Sequence, residues 1–156
     1  MELFKILTGV NVHHVPYKLV SQAQTDIISD RIQLWIASLP PMVPLIKAGK
    51  LRALAVSGKK RSEAVPNIPT MEESGVAGYE AVSWFALFAP AATPRDIVRK
   101  LNDEINTMLK LPDVADALNK QGLTVVGGEP EKMGDLVKSE MERWTRVIIA
   151  AKIKAD

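Results

Sequence analysis

The feature that most narrows the folds open to this chain is an alternation between residues 11 and 56. Apolar, β-branched runs of strand length take turns with short helical patterns. Residues 11–17 carry Val12 and Val15, follow Val10, and are bounded by Gly9 and Pro16, which predicts a strand. Residues 21–29 then read as a helix with Ala23, Ile27 and Ile28 on its inner side. Residues 32–36 form a short apolar strand pattern, followed by Pro40-Pro41 and a helix to Lys47 that Gly49 closes. Residues 51–56 complete the series. Strand, helix, strand, helix, strand at this spacing predicts α/β architecture: βαβ units with a mostly parallel sheet and flanking helices.

The chain before and after this series is also punctuated. Residues 2–8 read as the last turns of a helix, with Leu3, Phe4 and Leu7 on one face and Gly9 suited to the left-handed end position. Residues 51–94 hold a second strand pattern at 84–89, and between the two patterns a long loop. Pro66 and Pro69 remove backbone donors there and keep the residues before them extended. Thr70 and Glu73 have the T-x-x-E spacing of a capping box, and Gly75 can end the turn. Thr93-Pro94 predicts a helix start, with Thr93 as cap and Asp96 favouring the positive end. Ile97, Val98, Leu101, Ile105, Met108 and Leu109 form its apolar stripe. A helix over 112–121 ends at Gly122, residues 123–126 read as a strand, and Gly127-Gly128 as a turn. Pro130 opens a final helix with Met133, Leu136, Val137, Trp144, Val147, Ile148 and Ala151 on its apolar face.

Composition removes several function classes. With 47% apolar and 24% charged residues the chain reads as a globular protein. A formal charge of +2 with interspersed signs makes no case for nucleic acid. Lys59-Lys60-Arg61 is a short cluster that reads as a solvated turn. Zero cysteines exclude disulfides, thiolate metal sites and a cysteine nucleophile. No apolar run approaches the length a membrane helix needs. The first ten residues lack the basic region, apolar core and cleavage site of a signal peptide, so a cytoplasmic location is expected if the chain is made as it stands.

Catalytic constellations are not legible. His13 and His14 are neighbours on a predicted strand and point to opposite faces, so they cannot chelate one metal; one core and one surface histidine is the expectation. No serine sits in a nucleophile elbow. Asp103, Glu104, Glu140 and Glu142 read as solvated helix faces, with partners such as Arg99. The lone glycine pair is too weak for a phosphate loop. No enzyme activity and no cofactor is expected. Val15-Pro16-Tyr17-Lys18 is more informative, because it leads into the helix at Ser21 and sets a helix N-terminus beyond a strand end. Open sheets bind anions there, since free amides and the helix dipole favour negative charge. Ser38 and Leu39, after the next strand, fall at the same edge. The same spacing also fits ordinary strand-to-helix connections.

Together the motifs carry a family resemblance. H-V-P-Y-K at 14–18, A-x-T-D at 23–26, I-Q-L at 32–34 and I-K-A-G-K-L-R-A-L-A-V at 46–56 come first. R-S at 61–62, P-N-I-P-T-x-x-E-x-G at 66–75, G-Y-E-A-x-S-W-F at 78–85 and A-P-A-x-T-P at 89–94 follow. L-N-x-E-I-N at 101–106 and Trp144 complete the order. The set resembles the Bug family, the extracytoplasmic solute-binding receptors of tripartite tricarboxylate transporters, and covers essentially the whole chain.

The resemblance implies a periplasmic-binding-protein-like fragment of the type II, Venus-flytrap kind, matching the C-terminal half of a member. Residues 1–83 correspond to the second, ligand-cleft lobe without its start. Residues 84–156 correspond to a hinge strand and C-terminal helices of an otherwise missing first lobe. The implied function is a truncated receptor for small carboxylates: di- or tricarboxylates, aromatic acids or acidic amino acids. Tyr17, Lys18, Ser21 and Ser38 are the implied substrate contacts, with the amides of the Ser21 helix holding a carboxylate. The implied location is periplasmic, and the implied partners are the transporter's membrane components. The chain departs from the family at Leu19-Val20-Ser21-Gln22, where members have a small, glycine-containing run, and at Ala37, where they often carry an acid. The alternative expectation is a non-transporting structural fragment that forms a homo-oligomer through uncovered lobe surfaces, exchanging its C-terminal helices.

Overall fold

Proline and glycine set the limits of most elements in this protein. The computed structural model describes residues 1–153, arranged as two units, Met1–Val82 and Ser83–Asp156. Residues 154–156, the end of the segment 84–156 expected to belong to the other lobe, lie outside the described residues.

In the first unit, helix α1 (Glu2–Thr8) ends at Gly9, whose φ of 68° lets its N–H return to the Lys5 carbonyl at 2.9 Å. Helix α2 (Val20–Ile28) buries Ala23, as its pattern predicts, but leaves Ile28 exposed. A 3₁₀ turn, Pro40–Met42, runs into helix α3 (Val43–Lys47), and Gly49 follows at φ 69°. The buried side chains of this unit are Ala23, Met42, Val43, Ala64, Val65, Thr70 and Tyr79. Tyr79 meets the ring of Phe4 edge-on, with centroids 6.2 Å apart, which ties α1 to the end of the unit.

The long loop is closed on itself. The N–H of Val56 donates to Pro69 O at 2.8 Å, and Met71 N–H donates to Val56 O at 2.9 Å, making a parallel bridge between Val56 and Thr70. One residue on, Ser57 exchanges hydrogen bonds with Ala81: Ser57 Oγ donates to Ala81 O at 2.7 Å and Ala81 N–H to Ser57 O at 3.1 Å. The expected capping box is present in full. Glu73 N–H donates to Thr70 Oγ1 at 3.1 Å, and Thr70 N–H donates to Glu73 Oε2 at 2.7 Å. Arg61 grips the same carboxylate, with Nε 2.9 Å from Oε2, and also reaches the Pro66 carbonyl. Arg61 therefore clasps the loop, and Lys59 pairs with Glu80 at 3.5 Å.

The parallel sheet is not assembled among the described residues, where the Val56–Thr70 bridge is the one ladder contact. Residues 11–17, 32–36, 84–89 and 123–126 form no paired strand. A strand is defined by its neighbour, and local pattern can make a segment extended without supplying one. Residues 51–55 still alternate between half-buried and exposed, as one side of a strand should. Because residues 11–17 have no sheet face to cover, both His13 and His14 are exposed, and neither enters the core.

The second unit is helical. Helix α4 (Arg95–Leu109) begins one residue later than Thr93-Pro94 predicts. Thr93 N–H closes a turn onto Pro90 O at 2.9 Å, and Pro94, at ψ 140°, takes the capping position without a side-chain cap bond. Helix α5 (Pro112–Lys120) packs on α4 and ends through Gly122 at φ 85°. The longest helix, α6 (Pro130–Ala150), starts at its proline as predicted. Glu140, predicted to be a solvated acid, instead accepts from Trp144 Nε1 at 2.7 Å and from Arg143 at 3.1 Å. The Gly127-Gly128 turn is stapled to α4. Asn106 Oδ1 accepts the Gly128 N–H at 2.7 Å, while Asn102 and Asn106 both donate to Gly128 O, at 2.9 and 3.1 Å. The two asparagines of L-N-x-E-I-N are thus the anchors of a turn.

Two stability measurements test these joints. Thr70→Ala should cost about 1 kcal/mol in denaturant unfolding, and Thr70→Ser should recover most of it. The Glu73 carboxyl is held below its ordinary range by the Arg61 hydrogen bond first and by the Thr70 N–H next. A carboxyl lowered in the folded state stabilises above its unfolded pKa and loses that contribution as pH falls through the folded one. The stability gap between the protein and its Glu73→Gln variant should therefore close on acidification. In the second unit, a Cβ on Gly127 would lie 2.6 Å from Asn106 Oδ1, at a backbone φ of 63°. Gly127→Ala should cost about 2 kcal/mol or more by the same measurement.

Candidate functional site

Helix α2 carries Ser21 and has Tyr17 on its flank, two of the four candidate contacts. Leu19 is its N-cap residue in an extended conformation (φ −126°, ψ 132°), so no side chain caps the first amides, and no acid occupies the first turn. Missing caps are general among the described residues, where none of the six α-helices has a side-chain cap bond. What distinguishes α2 is the polar depression along its flank. This opening of about 470 Å³ is lined by Tyr17, Ser21, Gln22, Thr25, Asp26 and Arg31. Ser21, Gln22 and Thr25 share one side of the helix through their i, i+1, i+4 spacing.

Asp26 organises this surface. Its Oδ2 accepts the Tyr17 hydroxyl at 2.8 Å, and its Oδ1 lies 3.2 Å from Arg31 Nη1. The backbone reinforces the pair, because Arg31 N–H donates to Asp26 O at 2.9 Å. The Tyr17 phenol is raised above its ordinary value near 10, first by its bond to Asp26, then by burial and the Asp26 charge. Thr25 Oγ1 donates to the Ser21 carbonyl at 3.0 Å.

The structure therefore places Tyr17 and Ser21 in one depression. Lys18 and Ser38 are exposed and do not line it. Sequence reasoning left out Gln22, Thr25, Asp26 and Arg31. The available signal was the A-x-T-D motif, whose Asp26 lies one helical turn beyond Gln22. Arg31 follows the helix and reaches back by a turn that no periodicity marks. Among the described residues no group of three or more His, Asp or Glu side chains could hold a metal, and no helix is long and apolar enough to cross a membrane. The hydroxyl, amide, carboxylate and guanidinium groups of the depression can hydrogen-bond a small polar solute.

Residues 1–153 match the family described as the tripartite tricarboxylate transporter family receptor. The chain is 39% identical over 149 residues to the UPF0065 protein in the tcbD-tcbE intergenic region of Pseudomonas sp. (strain P51), covering 95% of this chain and 44% of that protein. It is 34% identical over 149 residues to the UPF0065 protein in the clcB-clcD intergenic region of Pseudomonas knackmussii, covering 95% and 88%. Among solved structures, R. palustris Rpa4515 with adipate superposes with a TM-score of 0.88 at 39% identity, over 97% of this chain and 51% of that one. The chain thus spans about half of the first relative and of the solved structure, and most of the second relative.

The shared fold is that of a periplasmic solute-binding protein. The chain belongs to the tripartite tricarboxylate transporter receptor family, whose members include proteins with Bug names and which is a family of receptors, not enzymes.

An alkaline spectrophotometric titration tests the site geometry. Both tyrosines should ionise above the ordinary phenol value, Tyr79 because burial raises it and Tyr17 because of Asp26. A raised folded-state pKa means the Tyr17–Asp26 bond stabilises below the unfolded value and is lost as pH rises through the folded one. Asp26→Ala should return one phenol toward the ordinary value and leave the other in place.

Proposed function

We propose that this chain supplies one wall of the ligand cleft of an extracytoplasmic receptor for small carboxylates, feeding a tripartite tricarboxylate transporter. The observation that carries this reading is the likeness to Rpa4515 with adipate over 97% of the chain. Residues 1–83 form the ligand-cleft lobe, and residues 84–156 the hinge strand and C-terminal helices of the other lobe. In the complete receptor the extended segments join a mostly parallel sheet with flanking helices. The protein works in the periplasm with the membrane components of its transporter, and no cofactor takes part.

A linear dicarboxylate is the ligand class that the likeness favours. One carboxylate meets the first amides of α2 near Ser21, where the positive end of the helix dipole offsets its charge. Tyr17 and Ser21 border that position, and Lys18 and Ser38 approach it as the cleft closes. Leu19 and Val20, standing where the family has smaller residues, narrow the approach. No bond in the solute is made or broken; the site holds and releases.

Titration calorimetry with adipate, other dicarboxylates and aromatic acids tests the reading. The folded protein should give heat with at least one dicarboxylate. Ser21→Asp should abolish it through like-charge repulsion, while leaving the helix as stable or more so, since an acid in the first turn is favourable by about 0.3–1 kcal/mol. Undiminished binding by Ser21→Asp, or no heat from folded protein, would overturn it.

A further inference from the structure

The direction of the hydrogen bonds around Asp26 fixes what kind of group its surroundings offer to a solute. Tyr17 Oη lies 2.8 Å from Asp26 Oδ2, and Asp26 Oδ1 lies 3.2 Å from Arg31 Nη1. A carboxylate shared with a guanidinium is an acceptor only, so the proton in the Tyr17–Asp26 bond belongs to the phenol. That bond is the largest cause raising the phenol above its ordinary value, which keeps the proton in place at neutral pH. Tyr17 has one hydroxyl hydrogen, and it is committed to Asp26. What the phenol oxygen has left for a solute is lone pairs.

Thr25 is committed in the same sense. Its Oγ1 is 3.0 Å from the Ser21 carbonyl oxygen, which has no hydrogen to give, so the threonine hydroxyl is the donor. Tyr17, Thr25 and Asp26 thus border the depression as acceptors. Ser21, Gln22 and Arg31 line it as well and bring donors: a hydroxyl, an amide and the guanidinium N–H groups that Asp26 does not use. The donors suit a carboxylate. The acceptors suit a hydroxyl hydrogen and disfavour a bare carboxylate oxygen, whose lone pairs would meet those of Tyr17. A neutral hydroxyl fits better there than an ammonium, because Arg31 already offsets the Asp26 charge.

We propose that Tyr17 is a specificity-determining residue and that Asp26 is the positioning residue that sets its polarity. By holding the phenol's hydrogen, Asp26 makes Tyr17 an acceptor. The site then favours a carboxylate that also carries a hydroxyl over the same carboxylate without one. The carboxylate lies at Ser21 and the first amides of α2, and the hydroxyl donates to Tyr17 Oη. Arg31 holds Asp26 from its other oxygen, and the Arg31 N–H bond to Asp26 O at 2.9 Å keeps the two residues together. The Asp26 carboxylate therefore keeps one orientation toward the phenol. Without Asp26 the phenol's hydrogen is released, and Tyr17 can donate to a carboxylate instead. The inference rests on the receptor reading and names which solutes within it the site prefers.

Titration calorimetry of the full chain with matched pairs tests it: succinate against malate, and adipate against 2-hydroxyadipate. The hydroxylated member of at least one pair should bind about three- to tenfold more tightly, the factor that one net hydrogen bond supplies. Tyr17→Phe keeps the ring and loses the oxygen, so it should remove the preference by weakening the hydroxylated member alone. Asp26→Ala should act on the other member, tightening the unsubstituted acid by a similar factor as the released phenol donates to it. An Asp26 with a merely structural role would weaken both members together, and that result would overturn its positioning role. Circular dichroism establishes that each variant is folded, and Tyr17→Phe decides the matter by itself if Asp26→Ala is not. Equal affinities within both pairs, or a preference that survives Tyr17→Phe, would overturn the inference and leave the receptor reading standing. No heat from any of the four acids with folded protein would overturn both.

Discussion

The arrangement of the first unit depends on one residue's backbone. Val56 donates to Pro69 and accepts from Met71, while its neighbour Ser57 holds Ala81. These bonds turn the stretch between residues 56 and 82 from a wandering connection into a closed loop. Loop closure costs entropy, and the cost is offset here by polar bonds and by a small core around Val65, Thr70 and Tyr79. The Thr70–Glu73 box and the Arg61 clasp act on the same loop from outside. The amides of Thr70, Met71 and Glu73 each find an oxygen, so Thr70 can be buried without leaving its backbone N–H unpaired.

The second unit solves a related problem with side chains. A glycine pair makes a turn that has no regular partner, and Asn102 and Asn106 supply one by bonding both polar groups of Gly128. Turn and helix thereby become one rigid piece. The remaining apolar stripe of α4 is left open, as are the two faces of residues 83–89. A unit built this way has its local geometry settled while much of its apolar surface stays exposed.

In the receptor reading these properties meet. A ligand wall needs a helix end held still, and Tyr17, Asp26 and Arg31 brace the flank of α2 across its length. A cleft that closes also needs a connection able to bend, and residues 83–89 carry no internal hydrogen bonds that would resist bending. Binding without chemistry fits a depression whose one carboxylate is already shared between a phenol and a guanidinium.

The helices were legible in the sequence because their signals are local. Gly9, Gly49 and Gly122 stop α1, α3 and α5, Pro112 and Pro130 start α5 and α6, and the T-x-x-E box forms as its spacing predicts. The start of α4 slipped by one residue because a turn at Pro90 competes for Thr93. The Tyr17–Ser21 neighbourhood was legible as polar. Strand pairing, the exposure of both histidines, the roles of Asp26 and Arg31, and the separation of Lys18 and Ser38 from the depression were not. Each depends on what a residue meets across space. Periodicity and capping thus determined which residues are helical. Only the tertiary structure decided which polar groups meet and which apolar faces stay open, because pairing and burial belong to two surfaces and a local pattern describes one.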